Sequence, residues 1–206
     1  SSNQSCASAS PVPNASLISI GDASVSLGDT GQLDIENLDK FITKKTKLVS
    51  VVHQSNVLGT INPIKKIISK AHENGAIVLI DGAQSIAHQS IDVEDLGCDF
   101  FVFSGHKIYA PTGVGVLYGK VELLEQMKPL MGGGEMIEQV SEKGFTLNKL
   151  PWRFEAGTPA IVQVIALRSA IEYIQNLGID KLSIYENNLI NYAHEKLLKI
   201  DNLELY

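Results

Sequence analysis

The chain has 206 residues, of which 44% are hydrophobic and 19% charged, so it is long and apolar enough to bury the core of a domain. This composition excludes intrinsic disorder, collagen and coiled coil as descriptions of the whole chain. Seventeen basic and 23 acidic residues leave a formal net charge of −6. Nucleic acid and anionic membrane are therefore disfavoured as partners, because no basic field attracts their phosphates.

The cysteines and the N-terminal segment bear on the cellular compartment. Cys6 and Cys98 are too few for a disulfide framework, and Cys98 lies in an apolar run that is typical of a reduced, buried thiol. Residues 1–16 are rich in Ser, Asn and Pro and lack the basic and apolar regions of a secretory signal. We therefore expect a cytoplasmic protein without a membrane span, in which residues 1–16 form a tail outside the domain.

From Leu17 onward, apolar β-branched runs alternate with segments of helical spacing. The predicted elements, in chain order, are strand 17–20, a helix within 34–42, strand 47–53, a helix from Pro63 to just before Gly75, strand 76–80, a weaker segment at 91–97, strand 100–103, strand 114–118 and helices 160–177 and 180–199. Strands that alternate with helices indicate an α/β fold with a mostly parallel sheet.

Polar side chains follow three successive predicted strands, at the point where each strand ends. They are Asn56 after the first, Asp81 and Gln84 after the second, and Ser104, His106 and Lys107 after the third. Taken singly, each has an ordinary reading as a turn residue, a cap or a solvated charge. Ligands of open α/β sheets bind outside the carboxyl ends of the strands, however, so the cluster as a whole predicts a binding site.

Several other enzyme classes lack their motifs in this sequence. The segment GVGVLYGKV at 113–121 resembles a phosphate-binding loop, but Val121 stands where the Walker pattern requires Ser or Thr. Neither HExxH nor GxSxG occurs, and the five histidines lack metal-ligand spacing. A P-loop enzyme, a serine hydrolase and a metalloenzyme are thus disfavoured, and we expect no metal.

Five segments of the chain, taken in order, carry a resemblance to a known family. They are SNVLG at 55–59, IDGAQ at 80–84, DFFVFSGHKIYAPTGVGVLYGK at 99–120, GGGEMI at 132–137 and PWRFEAGTP at 151–159. In this order they resemble the class V aminotransferase superfamily and, within it, the group II, SufS-like cysteine desulfurases and selenocysteine lyases. The resemblance runs from about Leu17 to Tyr206. It implies part of the large domain of a fold-type-I pyridoxal-phosphate-dependent transferase, a three-layer α/β domain with helices flanking the sheet, in which the C-terminal region starts near 180–206.

The resemblance implies roles around the ring of pyridoxal 5'-phosphate. The lysine at the position of Lys107 forms a Schiff base with the cofactor and afterwards acts as a base that moves protons. The aspartate at the position of Asp81 pairs with the protonated pyridine nitrogen, which makes the ring an electron sink. Gln84 would donate a hydrogen bond to the phenolic oxygen, with Asn56 near the same edge of the ring.

The resemblance also implies phosphate and subunit contacts. Ser104 and His106 would hold the cofactor phosphate, together with backbone N–H groups. In relatives, the threonine at the position of Thr158 reaches the phosphate of the partner subunit, so we expect a homodimer with shared sites. Residues 132–151 are expected to approach the neighbouring subunit.

The function implied by the resemblance is a cysteine desulfurase that converts L-cysteine to L-alanine. It would pass sulfur, as a persulfide, to an acceptor protein for iron–sulfur cluster assembly. Two alternatives stay open: a selenocysteine lyase or another class V enzyme, and an inactive fragment that dimerises and at most binds the cofactor. The family's ring-stacking histidine, substrate-binding arginine and persulfide-forming cysteine match nothing in this chain. Neither Cys6 nor Cys98 takes the place of that cysteine.

Overall fold

The computed structural model describes residues 32–203 and 205, together with the backbone of two short strands, Leu17–Ser19 and Ser24–Val25. The tail predicted at residues 1–16 lies outside the described residues. Along the described part of the chain, no helix is both long enough and apolar enough to cross a membrane.

A six-stranded sheet organises the protein. Its strands are β1 (Leu17–Ser19), β2 (Ser24–Val25), β3 (Leu48–Val52), β4 (Ile77–Asp81), β5 (Phe100–Ser104) and β6 (Gly115–Gly119). Their order across the sheet is β2-β1-β3-β4-β5-β6. The three central strands, β3, β4 and β5, run parallel to one another, whereas β1, β2 and β6 pair antiparallel with their neighbours. The predicted α/β class is confirmed, with the parallel strands at the centre of a mixed sheet.

The main core lies between one face of this sheet and helix α2 (Ile64–Glu73). Alternate residues of the central strands are buried there: Val49, Val51, Val78, Ile80 and Phe101. Helix α2 covers them with the stripe that the helical spacing predicts, namely Ile64, Ile67, Ile68 and Ala71. Because burying one Ile or Val side chain stabilises a fold by about 1.5–3 kcal/mol, this layer holds the central strands in place.

The boundaries of α2 follow the sequence signals closely. Pro63 is the residue before the first helical residue rather than the first one, and its carbonyl accepts hydrogen bonds from Lys66 and Ile67. At the other end, Gly75 adopts the left-handed φ of +78° that Gly tolerates best. The helix therefore ends where the sequence predicts and returns the chain to β4.

Four short helices complete the regions between the strands. They are α1 (Leu38–Phe41), α3 (Ser85–His88), α4 (Val93–Leu96) and α5 (Val121–Gln126). Helix α1 is shorter than the predicted 34–42 segment, because the Asp34 side chain bonds to Asn37 and forms a turn before it. Helix α4 lies in the weak segment at 91–97, where the Asp92 side chain caps the N–H groups of its first turn and Gly97 ends it.

The C-terminal part contains a hairpin and two long helices. The hairpin pairs β7 (Ile137–Ser141) with β8 (Gly144–Leu147), and the sequence patterns did not predict it. The long helices, α6 (Ile161–Leu177) and α7 (Ile179–Leu197), confirm the predicted ones within two residues. Gly178, with a φ of +84°, separates them. Buried residues of α6 pack on a second apolar cluster that includes Ile108 and Ala110.

Candidate functional site

The carboxyl ends of the three parallel strands lie side by side. Val52 of β3 is level with Asp81 of β4, and Asp81 is level with Val102 of β5. Asp81 is the last residue of β4, and Ser104 is the last residue of β5. Because the strands are parallel, the turns that follow them share one edge of the sheet, which we call the carboxyl edge.

Asp81 begins the turn that leads from β4 into α3. Its Oδ1 accepts the backbone N–H of Ala83 at 2.9 Å, so the carboxylate closes the turn that follows it. Gly82 allows the close approach to β5, because a Cβ at this position would overlap the ring of Phe101. Asp81 and Gln84 are both half-buried, and among the described residues no cation forms an ion pair with Asp81. This carboxylate retains acceptor capacity at the carboxyl edge.

A single 3₁₀ turn, Gly105–Ile108, follows β5 directly. Gly105 donates its N–H to the carbonyl of Val114 at 2.8 Å, and a Cβ on Gly105 would lie 2.6 Å from the Val114 side chain, so the approach requires glycine. Ile108, only 6% exposed, anchors the other end of the turn. The backbone that carries Lys107 is thereby held on both sides.

The same turn presents its polar side chains to solvent. Lys107 and His106 are exposed, and the Ser104 Oγ shares a hydrogen bond of 2.8 Å with the His106 Nδ1. Within the described ranges, no carboxylate forms an ion pair with Lys107. The turn therefore offers an amine, a hydroxyl and an imidazole that are not consumed by the fold.

Asn56 occupies a tight turn after β3. The Ser55 Oγ accepts the backbone N–H groups of Val57 and Leu58 at 3.2 and 3.3 Å, and the Ser55 N–H donates to the carbonyl of Thr60 at 2.9 Å. Asn56 itself is exposed at this turn. The six strand-end residues of the sequence prediction thus share the carboxyl edge of the sheet.

Thr158 lies on a different loop. Gly157, next to it, donates its N–H to the carbonyl of Gly134 at 2.9 Å, and a Cβ on Gly133 would lie 3.2 Å from the Cβ of Ala156. The loop therefore packs against the Gly-rich turn before β7, and Thr158 is exposed. Its role toward a partner subunit stays a prediction.

Two long-range side-chain contacts border the carboxyl edge and have no signal in the sequence. Gln89 donates to Gln54 at 3.1 Å, and the His88 Nδ1 lies 2.9 Å from a carboxylate oxygen of Glu186. The partners are 35 and 98 residues apart, so no local spacing reveals them.

His53 is a further polar group that sequence patterns did not single out as a site residue. It directly follows β3, it is 6% exposed, and its Nδ1 has no hydrogen-bond partner among the described residues. Burial lowers the pKa of His53, which favours the neutral imidazole. Its backbone N–H donates to the carbonyl of Asp81 at 2.8 Å, so it extends the pairing of the two strands.

Comparisons with known proteins show which family and which solved structures this chain is similar to. The sequence model of the family described as aminotransferase class-V matches residues 21–206. The chain is 51% identical to the cysteine desulfurase of Pectobacterium atrosepticum over 181 residues, which are 87% of this chain and 44% of that protein. Among solved structures, the cysteine desulfurase CsdA of Escherichia coli superposes with a TM-score of 0.81 at 41% identity, over 84% of this chain and 44% of that one. A C-DES mutant with glycine covalently linked to its PLP cofactor gives a TM-score of 0.73 at 26% identity, over 82% of this chain and 46% of that one.

Proposed function

Because this chain belongs to the aminotransferase class-V family, we propose that its carboxyl edge holds pyridoxal 5'-phosphate in a cysteine desulfurase. The chain spans 43–45% of the length of the curated relatives it matches, so the activity of the whole enzyme is part of the proposal. Residues 17–206 would form part of the cofactor-binding large domain, with the C-terminal region starting near 180–206. The observation that carries the proposal is the exposed Lys107, which forms no ion pair among the described residues and lies in the 3₁₀ turn that follows β5, beside the strand that ends in Asp81.

The donor set at the carboxyl edge fits the chemistry of this cofactor. Lys107 supplies an amine that can react with the cofactor aldehyde. Asp81 supplies a carboxylate that can pair with the pyridinium nitrogen. Ser104 and His106 supply a hydroxyl and an imidazole that can donate hydrogen bonds to a phosphate. None of these four groups is paired with an oppositely charged group within the part of the chain that the structure describes.

Each of these residues has a separate task in the proposed enzyme. When bound, the cofactor supplies an electron sink for the negative charge that develops at the α-carbon of an amino acid. Asp81 would keep the pyridine nitrogen protonated, which maintains that sink. The Lys107 Nζ would hold the cofactor covalently and, as a free amine, would accept and return protons. Gln84 would donate a hydrogen bond to the phenolic oxygen of the ring, and Asn56 would lie near the same edge of the ring.

We propose a homodimer in which Thr158 contributes to the phosphate site of the partner subunit. The first turns of α6, directly after this loop, carry apolar side chains that are exposed by more than half: Ile161 by 56%, Val162 by 73% and Ile165 by 64%. Contiguous exposed apolar residues mark an interaction surface. Burial of this surface against a second copy would place Thr158 at the boundary between the two subunits.

The proposed substrate is L-cysteine, with L-alanine as the product and sulfur passed as a persulfide to an acceptor protein for iron–sulfur cluster assembly. The names of the relatives support this choice over a selenocysteine lyase or another class V enzyme. A cytoplasmic location stays a prediction.

One observation favours a second candidate for the isolated chain, a dimer that binds the cofactor without desulfurating L-cysteine. Cys98 is fully buried, and burial raises the pKa of its thiol. A buried, protonated thiol is a poor sulfur acceptor. Among the described residues, no other cysteine is available for the persulfide step.

The decisive test is to trap the cofactor on the purified 206-residue chain. After addition of pyridoxal 5'-phosphate, we expect a visible absorbance band that borohydride removes, with the reduced adduct on the peptide that contains Lys107. Lys107→Ala should abolish this adduct, whereas Lys66→Ala, at an exposed position on α2, should retain it. Label spread over surface lysines, or an unchanged adduct in the Lys107→Ala variant, would contradict the assignment. An assay with L-cysteine then separates the desulfurase from the inactive dimer.

A further inference from the structure

Helix α3 follows the Asp81–Gln84 turn and cannot set its own position. It has four residues, and a helix of that length has no independent stability in water. Its residues Ser85 and Ala87 are buried, and Ile86 between them packs against both apolar clusters. The orientation of its C-terminal end must come from contacts with other parts of the chain.

The first such contact is the amide tether, which we define as the hydrogen bond from the Gln89 Nε2 to the Gln54 Oε1 at 3.1 Å. Gln89 directly follows α3, and Gln54 lies between β3 and the turn of Asn56. Both residues are half-buried, so water competes less for this bond than at an exposed site. The amide tether therefore links the segment after Gln84 to the segment before Asn56, the two amides proposed for one edge of the cofactor ring.

The second contact is the acid tether, which we define as the pair of His88 and Glu186. The His88 Nδ1 lies 2.9 and 3.1 Å from the two carboxylate oxygens of Glu186. The side chains are 33% and 35% exposed, so the pair is more shielded than an ordinary surface pair. Since the carboxylate only accepts, the His88 Nδ1–H donates. The acid tether fastens the last residue of α3 to α7.

We propose that the two tethers position the turn of Asp81 and Gln84 for the cofactor, so that residues of α3 and α7 outside the site set its affinity. This inference rests on the proposed function. Loss of a tether lets the end of α3 move, and the backbone bonds from Ile86 to Gly82 and from Gln89 to Ser85 transmit that freedom to the turn. The tether residues are positioning residues, because they act on the cofactor site through α3.

The experiment measures the dissociation constant of pyridoxal 5'-phosphate, from its visible band, in variants of the full 206-residue chain. Glu186→Ala, His88→Ala and Gln89→Ala each remove one tether, and we expect each to weaken binding by about three- to tenfold. His88→Asn keeps a donor at the position of Nδ1, and Glu186→Gln keeps an acceptor. These two conservative variants should recover most of the affinity.

Two controls separate positioning from general stability. Glu195→Ala removes an exposed carboxylate of the same helix, paired with Lys199 at 2.8 Å, and should leave the affinity unchanged. Ile67→Val removes one methylene from the core beneath α2 and leaves both tethers in place, so it should lower Tm without changing the affinity. Hydrogen exchange of the cofactor-free chain supplies an independent signal, because the amides of Ile86 and Gln89 should exchange faster in the alanine variants.

The outcomes distinguish the two proposals. If the wild-type chain binds the cofactor at Lys107 and the alanine variants bind it equally well, the tethers have no positioning role and the proposed function stands. If Ile67→Val weakens binding as much as Glu186→Ala at the same loss of Tm, the effect is structural and the inference is overturned. If the wild-type chain forms no borohydride-reducible band at all, the proposed function fails, and the inference fails with it.

Discussion

The parallel strands carry an aspartate at each of their two ends. Asp99 lies directly before β5, at the amino ends of the strands, and Asp81 lies at the end of β4, at the carboxyl edge. Asp99 is 6% exposed, and its carboxylate has three partners: the Lys120 Nζ at 2.7 Å, the His72 Nε2 at 2.8 Å and the backbone N–H of Val78 at 2.7 Å. Asp81 is half-buried, and among the described residues its carboxylate accepts one hydrogen bond, from the turn that follows it. The fold therefore uses the hydrogen-bonding capacity of the Asp99 carboxylate, whereas the Asp81 carboxylate can still accept hydrogen bonds from a ligand.

The contrast distinguishes a carboxylate that is fully engaged by the fold from one that the fold leaves available. Burial alone would raise the pKa of Asp99, but the hydrogen bonds from Lys120 and His72 outweigh it, and the pKa lies below the ordinary aspartate value. The hydrogen bond between Lys120 and Asp99 also raises the pKa of Lys120. Asp99, Lys120 and His72 together join the amino end of β5 to the end of α2 and so stabilise the fold. A carboxylate that is to meet a ligand cannot also be neutralised in this way.

The largest expected effect comes from removal of the saturated carboxylate. Asp99→Ala leaves the buried Val78 N–H without its acceptor and leaves Lys120 and His72 unpaired, so we expect a loss of about 3 kcal/mol in the free energy of unfolding. Urea denaturation measures it. Asp95→Ala is the matched control, since its pair with Lys65 has the same 2.7 Å distance but is 58% and 65% exposed. That variant should lose less than about 0.5 kcal/mol. A loss below about 1 kcal/mol for Asp99→Ala would contradict the structural role.

A second prediction concerns the stability of the protein at low pH. Because the pKa of Asp99 is lowered in the folded state, its stabilisation is fully present above the ordinary aspartate pKa and is lost as pH falls through the folded value. We expect the free energy of unfolding of the wild type to fall as the pH drops below the ordinary aspartate pKa, more steeply than that of Asp99→Asn. Parallel pH profiles of the two proteins would show that Asp99 does not contribute to the acid sensitivity.

The smallest stability effect is expected at the carboxyl edge. Asp81→Asn keeps an oxygen for the Ala83 N–H and removes a charge that has no ion-pair partner among the described residues. The free energy of unfolding should change by less than about 0.5 kcal/mol. If Asp81 pairs with the ring nitrogen of the cofactor as proposed, the same substitution should alter the spectrum or the reactivity of the cofactor when it is bound, because an amide does not keep that nitrogen protonated. A loss of stability as large as that of Asp99→Ala would make Asp81 a structural residue.

Local patterns in the sequence predict the elements that are buried on regular periods. The β-branched runs of β3 and β4 and the stripe of α2 are found within a residue or two of their predicted bounds, because one buried face imposes a fixed repeat. The hairpin of β7 and β8 escapes prediction because its residues are almost all exposed and lack such a repeat. Helix α3 is not predicted either, because four residues are too few to show a helical repeat of apolar positions.

The sequence by itself determined which chemical groups stand at the strand ends: an amine, a carboxylate, two amides, a hydroxyl and an imidazole. It did so because the residue that follows a buried strand can be read from where the apolar run stops. Only the tertiary structure decided which aspartate is consumed by the fold and which is left available. The partners of Asp99, like those of the two tethers, come from segments 21 to 98 residues away. Such pairings depend on how the layers pack, because no local repeat along the chain specifies them.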